Sequence, residues 1–88
     1  ESNPPPIWAA RGVRTVGPPR PVGKDGAHLK LTLASGGSQM DAIAFGMGQD
    51  PFPDGALDVA FELEWNTYRG RTAPQMKVRD LRPAAGEG

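Results

Sequence analysis

Two stretches of this chain alternate apolar and polar residues at every second position, and this alternation restricts the fold more than any other feature. Between residues 28 and 33, three leucines alternate with His28, Lys30 and Thr32. Between residues 57 and 64, apolar residues again take every second position. A side-chain period of two is typical of a half-buried β-strand and not of a helix. We therefore expect a sheet with one buried face.

Three weaker segments complete the predicted strands. Residues 40–45 and 75–81 alternate less regularly, and a first strand is expected at residues 8–16, with Gly12 as a bulge or bend. Glycine and proline are concentrated between the strands. They make up one quarter of the 88 residues (12 Gly and 10 Pro), a share at which disorder is an alternative. The alternating segments favour a folded chain, since a disordered tail does not need them.

The glycine-rich and proline-rich segments predict loops at residues 17–26, 46–55 and 66–73, and a hairpin at residues 35–38. Five short strands with a long connection after the third fit an all-β fold, a small five-stranded Greek-key barrel of the OB (oligonucleotide- and oligosaccharide-binding) type. No sustained amphipathic helix is predicted.

The expected organisation has three parts. Residues 1–7 form a Pro-rich lead-in from a preceding domain, residues 8–83 form the OB-fold domain, and residues 84–88 form a flexible tail. A first residue other than Met, followed by prolines 4–6, is expected of a segment of a longer polypeptide.

The residues that are absent or rare exclude several function classes. The chain has no cysteine and one histidine, which excludes disulfides and thiolate chemistry and argues against a zinc site or a Ser/His/Asp triad. No apolar run approaches the roughly 20 residues that cross a bilayer, and the N-terminus lacks the layout of a signal peptide. We expect a soluble, cytoplasmic domain without a membrane partner and without a cofactor bound to this chain.

Charge is distributed unevenly although the formal net charge is zero. Residues 1–35 carry a balance of +3, residues 36–64 carry −6, and residues 65–88 carry +3. In an OB barrel the loop between the first two strands and the loop between the last two flank the ligand face, and both lie in the basic segments. Charge blocks of this size also arise by chance in small domains, and that alternative stays open.

Aromatic and basic residues occur together in the predicted loop at residues 66–73. Aromatic rings stack on unpaired bases at about 1–3 kcal/mol per base, and arginine binds phosphates. Tyr68, beside Arg69 and Arg71, is the stronger stacking candidate. Trp65 is in phase with the inward residues of its strand, which favours a position in the core or at the barrel mouth.

Other conspicuous residues have ordinary structural interpretations. Trp8 caps the barrel or contacts a neighbouring domain, and Phe45 and Phe52 are assigned to packing. His28 and Lys30 point away from the leucine face, where solvent exposure is the first interpretation and ligand contact the second. Glu62 and Glu64 are read as a solvated strand face and not as an acid/base or metal-binding pair.

The chain also carries a collinear series of short motifs: Asn3-Pro4-Pro5-Pro6, Val22-Gly23, His28-Leu29-Lys30-Leu31, Asp41-Ala42-Ile43-Ala44-Phe45, Asn66-x-Tyr68-x-Gly70, Gln75 and Asp80-x-x-Pro83. In order and spacing this series resembles the OB domain of RecJ-type exonucleases, the single-stranded-DNA-specific nucleases of the DHH phosphoesterase superfamily. The resemblance covers residues 3 to about 83.

The resemblance implies a longer parent protein that degrades single-stranded DNA from the five-prime end in DNA repair and recombination. It implies Mn²⁺ or Mg²⁺ held by Asp and His residues of the DHH and DHH-associated domains. This chain has no Asp-His-His triplet, so we expect it to be catalytically inert. The implied partners are single-stranded DNA, the catalytic core domains of the same protein, and a single-strand binding protein.

Site residues follow from the resemblance by matching positions. Tyr68 would stack on a base, Arg69 and Arg71 would bind phosphates, and Gly70 would permit close backbone approach. The remaining nucleic-acid-binding candidates are His28 and Lys30, from the His-Leu-Lys run, together with Lys77, Arg79 and Arg20.

The sequence departs from the family pattern in two places. The loop between the first two strands has extra prolines, and Thr72-Ala73-Pro74 replaces a Ser-Leu pair before Gln75. Because Pro74 cannot donate a ladder hydrogen bond, the last strand is expected to start late or to lie at an edge.

Two functions of different classes remain open. One is a single-stranded-DNA-binding module of a RecJ-like nuclease. The other is a structural or interaction domain that docks onto the nuclease core or another repair protein, with little DNA contact.

Overall fold

The computed structural model describes residues 5–84. It contains six strands: β1 (Trp8–Thr15), β2 (Arg20–Val22), β3 (His28–Ser35), β4 (Ser38–Ala44), β5 (Leu57–Tyr68) and β6 (Arg71–Pro83). A single 3-10 turn, Lys24–Gly26, lies between β2 and β3. Residues 1–4 of the expected lead-in, which include the start of the first motif, and residues 85–88 of the expected tail lie outside the described residues.

The six strands form one sheet in the order β1-β5-β6-β4-β3-β2, and β1 also pairs with β3. The first half of β1 pairs with β5, and Arg14 and Thr15 pair with the end of β3. β4 and β6 are parallel, and every other pair is antiparallel. The ring β1-β3-β4-β6-β5 is therefore closed, which confirms the all-β, OB-type fold. A register shift between Ala10 and Val13 confirms the bulge around Gly12.

The core consists of the residues that the alternation predicts. Leu29, Leu31 and Leu33 of β3 are buried, as are Leu57 and Val59 of β5. The other core members are Val13, Ala42, Ala44, Met76 and Val78, with Phe52 and Met47 among the partly buried side chains packed against them. The assignment of Phe52 to packing is thus confirmed.

The predicted loop at residues 17–26 contains a strand that the sequence did not predict. β2 pairs with β3, with Pro21 opposite Leu29, and has no neighbour on its other side among the described residues. Its prolines argued against a strand, but an edge strand tolerates proline because one of its sides donates no hydrogen bonds to the sheet.

The predicted loop at residues 66–73 is wrong, because strand pairing continues almost to its centre. β5 and β6 pair from Leu57↔Pro83 to Tyr68↔Arg71, leaving a two-residue turn. Arg69 and Gly70 in that turn have φ of +53° and +76°, the backbone of a type I′ hairpin. Since β1 pairs with β5 only as far as Phe61, and β4 with β6 only at Met76 and Lys77, residues 63–75 form a two-stranded extension beyond the barrel. We call it the ribbon.

The expectation that the last strand starts late because of Pro74 is also wrong. β6 begins at Arg71, and Pro74 lies opposite Trp65 within the ladder. A two-residue turn closes on a hydrogen-bonded pair, and the pair type then alternates. By this alternation Trp65–Pro74 is a non-hydrogen-bonded pair, so the proline nitrogen faces the free edge of the ribbon. The edge part of the expectation therefore holds.

The connection between β4 and β5 is anchored on the 3-10 turn. The backbone N–H of Gly48 donates to the Ala27 carbonyl at 2.9 Å, and the Gln49 side-chain amide donates to the carbonyls of Asp25 and Gly26 at 3.2 and 3.1 Å. A Cβ atom on Gly48 would overlap the Gly26 carbonyl oxygen. Glycine at position 48 is therefore what allows this loop to lie against the turn.

Candidate nucleic-acid interface

A row of side chains crosses the outward-facing side of four neighbouring strands. Arg20 of β2 lies opposite Lys30 of β3, Lys30 lies opposite Ile43 of β4, and Ile43 lies opposite Lys77 of β6. Lys30 points outward because Leu29 and Leu31 on either side of it are buried. Paired residues share a face, so the register places three cations on one side of the barrel. We call this side the outer face.

An exposed aromatic ring lies beside this row. Phe45 is 50% exposed. Its ring centroid is 5.0 Å from that of His28, with 73° between the ring planes. The Lys77 Nζ is 5.8 Å from the Phe45 centroid. The assignment of Phe45 to packing is therefore wrong, since the ring lies on the outer face between two predicted site residues.

His28 holds the chain that follows Phe45. The backbone N–H of Gly46 donates to His28 Nδ1 at 3.0 Å, so in this arrangement the neutral imidazole carries its hydrogen on Nε2. A Cβ atom on Gly23 would lie 2.9 Å from His28 Cδ2, which shows how closely the backbone packs against the ring. His28 is thus a positioning residue for this corner of the outer face.

At β5 the row meets an acidic residue. Lys77 lies opposite Glu62, and Glu62 Oε2 is 2.6 Å from Arg79 Nη1. The Glu62 side chain is 14% exposed and that of Arg79 is 53% exposed. The guanidinium of Arg79 is therefore partly neutralised by an internal partner, unlike the ammonium groups of Lys30 and Lys77, which form no ion pair within residues 5–84.

The tip of the ribbon carries a second set of predicted residues. Tyr68 lies opposite Arg71 on the outer face, and the guanidinium carbon of Arg69 is 5.3 Å from the centroid of the exposed Tyr68 ring. A contact of this length is within the range of a cation–π interaction. Gly70 occupies the second position of the turn. Tyr68, Arg69, Gly70 and Arg71 form what we call the tip cluster.

The structure assembles the predicted residues other than Arg79 into two clusters, one of which also includes Phe45, and it does not bring the clusters into contact. The sheet cluster comprises Arg20, His28, Lys30, Phe45 and Lys77. Tyr68 lies six positions along β5 from Glu62, a distance of about 20 Å at strand spacing. Glu64 on β5 and Asp41 on β4 occupy the outer face between the two clusters. A ligand that contacts both must therefore be extended.

The inner face of the ribbon is apolar at Leu63, Trp65 and Pro74 and carries Thr67 and Thr72 near the tip. Trp65 keeps the inward phase of β5, yet the residue is 72% exposed. Leu63 on the same face is also exposed. Of the two positions expected for Trp65, the core and the barrel mouth, the core is wrong because the ribbon extends beyond the strands that would cover the ring. Trp8, opposite Phe61 at the start of β1, is half-exposed as well.

The alternation of inward and outward positions along β4 is the signal that could have placed Phe45 on the outer face. Ala42 and Ala44 are buried, which leaves positions 41, 43 and 45 on the outer face. In an all-apolar run such as Ala42 to Phe45, however, no polar residue shows which alternate positions face the core. The local sequence therefore predicts packing for Phe45, whereas the structure exposes the residue.

Within residues 5–84, no three His, Asp or Glu side chains lie close enough together to hold a metal ion. The same residues contain no helix with the length and hydropathy to cross a membrane.

A closed five-stranded ring with a sixth edge strand, and with cations and an aromatic ring on its outer face, defines an OB-type domain. The family model for the RecJ OB domain matches residues 1–80, and the chain belongs to this family. It is 35% identical over 69 residues to the single-stranded-DNA-specific exonuclease RecJ of Haemophilus influenzae, covering 73% of this chain and 12% of the relative. It is 27% identical over 64 residues to the RecJ exonuclease of Bacillus subtilis, covering 69% of this chain and 8% of the relative. The chain thus spans about a tenth of the length of these relatives.

Proposed function

We propose that this chain is the single-stranded-DNA-binding OB domain of a RecJ-like five-prime-to-three-prime exonuclease of DNA repair and recombination. It positions the strand for a catalytic core that lies elsewhere in the parent protein. The aligned cations Arg20, Lys30 and Lys77 on the outer face carry the proposal. The relatives support it, since both are named for activity on single-stranded DNA.

The row suits a nucleic-acid backbone for an electrostatic reason. Adjacent strands are about 4.8 Å apart, so the row extends cationic groups over about 15 Å of one face. Each phosphate that a cation neutralises releases counterions, and for single strands the slope of log K against log salt is about −0.7 per contact. With few contacts and a net charge of zero, the chain alone binds weakly and loses affinity steeply as salt rises.

The catalytic chemistry belongs to other parts of the parent protein in this proposal. Mn²⁺ or Mg²⁺ would be held by its DHH and DHH-associated domains, as the family resemblance implies. The OB domain contributes strand binding only.

Titration of a labelled oligothymidylate tests the proposal. An OB fold covers about 4–16 nucleotides, so a 16-mer followed by fluorescence anisotropy at low and moderate salt is suitable. We expect Lys30→Gln with Lys77→Gln to weaken binding and to reduce the salt slope by about 1.4, two contacts' worth. Arg11→Gln with Arg82→Gln removes the same charge from residues lining a groove among β1, β5 and β6 and serves as the matched control. Equal losses in both double variants, or no binding at low salt, would contradict the proposal.

The exposed inner face of the ribbon supports a second function, docking onto the catalytic core of the same protein. Trp65 and Leu63 offer exposed apolar area in the part of the chain that the structure describes. In the full-length nuclease, Trp65→Ser with Leu63→Ser is expected to lower the thermal midpoint, while the isolated chain is unaffected. Tyr68→Ala with Arg69→Ala separates the two functions, because it lowers DNA affinity only if the tip cluster contacts the strand.

A further inference from the structure

We propose that Phe45 is a base-stacking site, at which one unpaired base lies on the exposed ring while Lys77 and Lys30 bind the flanking phosphates. This inference rests on the proposed function and specifies where on the outer face a base is held. The ring is an addition to the stacking position expected at Tyr68.

The surroundings of the ring favour a ligand over packing. A phenylalanine side chain normally gains about 1.5–3 kcal/mol from full burial, yet half of this one is exposed, while alanines occupy the inward positions on either side of Ile43. Its neighbours are an imidazole and an ammonium group. Aromatic rings beside cations are the combination by which single-stranded nucleic acids are bound without sequence preference.

The ring is fixed before any ligand arrives. His28 contacts it edge-on and accepts the N–H of Gly46, the residue that follows Phe45. The N–H of Gly48 is bonded in turn to Ala27, next to His28. Preorganised groups lose less conformational entropy on binding, so a ring held in this way provides more affinity than a mobile one.

Lys77 is placed to bind a phosphate once a base is stacked. Its Nζ, 5.8 Å from the ring centroid, lies near the outer limit of about 6 Å for a cation–π contact. That contact is weak, and the flexible stem of the lysine lets a base displace it. The ammonium then pairs with a phosphate next to the stacked base.

Because the two clusters are separated, binding at the sheet cluster can be measured independently of the tip cluster. Phe45 and Tyr68 lie at opposite ends of the outer face, with Glu64 and Asp41 on that face between the clusters. A short oligonucleotide held at the sheet cluster would contact Phe45 and would not reach the ribbon tip. Binding of short oligonucleotides should therefore depend on Phe45 and be insensitive to Tyr68.

The test compares a short oligothymidylate with an abasic oligonucleotide of the same length, which has the phosphates and sugars but no bases. We expect Phe45→Ala to weaken binding of the thymidylate by about 5- to 100-fold and to leave binding of the abasic strand within twofold. Phe45→Trp should retain or increase affinity for the thymidylate. Trp8→Ala, which removes a half-exposed aromatic at the start of β1, is the matched control and should change neither.

Each outcome decides the matter. If wild type binds both strands and Phe45→Ala binds them as well as wild type does, the stacking site is wrong while the proposed function stands. If Phe45→Ala weakens both strands equally, the ring supports the fold of the cationic surface and does not stack. If wild type binds neither the thymidylate nor the abasic strand, the proposed function itself is overturned. Phe45→Leu keeps an apolar side chain but offers no aromatic ring. If Phe45→Leu unfolds at the same temperature as wild type and still loses thymidylate binding, the lost binding reflects the missing ring and not lost folding.

Discussion

Glu62 and Arg79 form an ion pair of 2.6 Å across β5 and β6, at the point where the basic row of the outer face ends. The carboxylate is nearly buried and the guanidinium is half-exposed. The pair keeps one arginine from full contact with a ligand and sets an acidic group opposite Lys77. It therefore limits the cationic surface on the side of β5.

Replacing Glu62 by glutamine should strengthen DNA binding. The change removes one negative charge and frees Arg79 for a phosphate, so we expect roughly two- to tenfold higher affinity at low salt and a salt slope steeper by about 0.7. Stability should fall by no more than about 1 kcal/mol, because Arg79 is half-exposed and an ion pair with one exposed partner contributes little. Glu64→Gln removes the same charge two positions along the same face, where residues 5–84 offer no arginine partner in an ion pair. Anisotropy titrations in which both variants gain equally would show that Arg79 contributes nothing.

Arg69→Asn should move stability and affinity in opposite directions. Arg69 has φ of +53°, a conformation that asparagine adopts more readily than arginine does. We expect a gain of about 0.5–1 kcal/mol in the free energy of unfolding together with a loss of DNA affinity. Arg71→Asn removes an equal charge from a strand position and should lose affinity without that gain. Denaturant unfolding and anisotropy titration of the two variants provide the comparison.

Gly48→Ala should be far more damaging than alanine at a glycine in open space. A Cβ atom at position 48 overlaps the Gly26 carbonyl oxygen, so the loop must leave the 3-10 turn and lose the Gly48–Ala27 hydrogen bond. We expect a loss of about 3 kcal/mol. Gly36→Ala, in the β3–β4 turn, meets no atom within 4 Å and should cost about 1 kcal/mol through its positive φ alone. Similar thermal midpoints for the two variants would mean that the loop is not anchored as described.

Truncation of two residues on the same face of β5 should change the free energy of unfolding by very different amounts. Leu57 is fully buried and Trp65 is 72% exposed. Leu57→Ala should lower the free energy of unfolding by about 2–5 kcal/mol, whereas Trp65→Ala should change it by less than about 0.5 kcal/mol. Chemical denaturation measures both. A large loss at Trp65 in the isolated chain would place the ring against the barrel.

The barrel could be predicted from the sequence because its core obeys a simple rule. Leu29, Leu31 and Leu33 alternate with polar residues, and burial of one sheet face requires that pattern. The short strand β2 could not be predicted, because Pro21 argues against strands in general and is acceptable only at an edge. Whether a segment lies at an edge depends on the assembled sheet.

The candidate site was predicted by residue type and only partly by position. Lys30 and Lys77 come into line through the register of three strands, β3, β4 and β6, which follows from pairing between segments distant in sequence. Trp65 has inward parity, and nothing local indicates that β5 continues past its neighbours. The exposure of Phe45 could not be predicted, because the apolar run from Ala42 to Phe45 contains no polar residue to mark the outward positions.

The closure of the barrel through β1 also has consequences for how quickly the native state forms. The first strand pairs with the end of β3 and with the start of β5, so Trp8 and its partner Phe61 are separated by more than half the chain. Contacts of such high sequence separation give a high relative contact order and folding times of milliseconds to seconds. During synthesis on the ribosome, the hairpin of β3 and β4 can assemble early, but the N-terminal strand stays without half of its partners until the fifth strand has emerged.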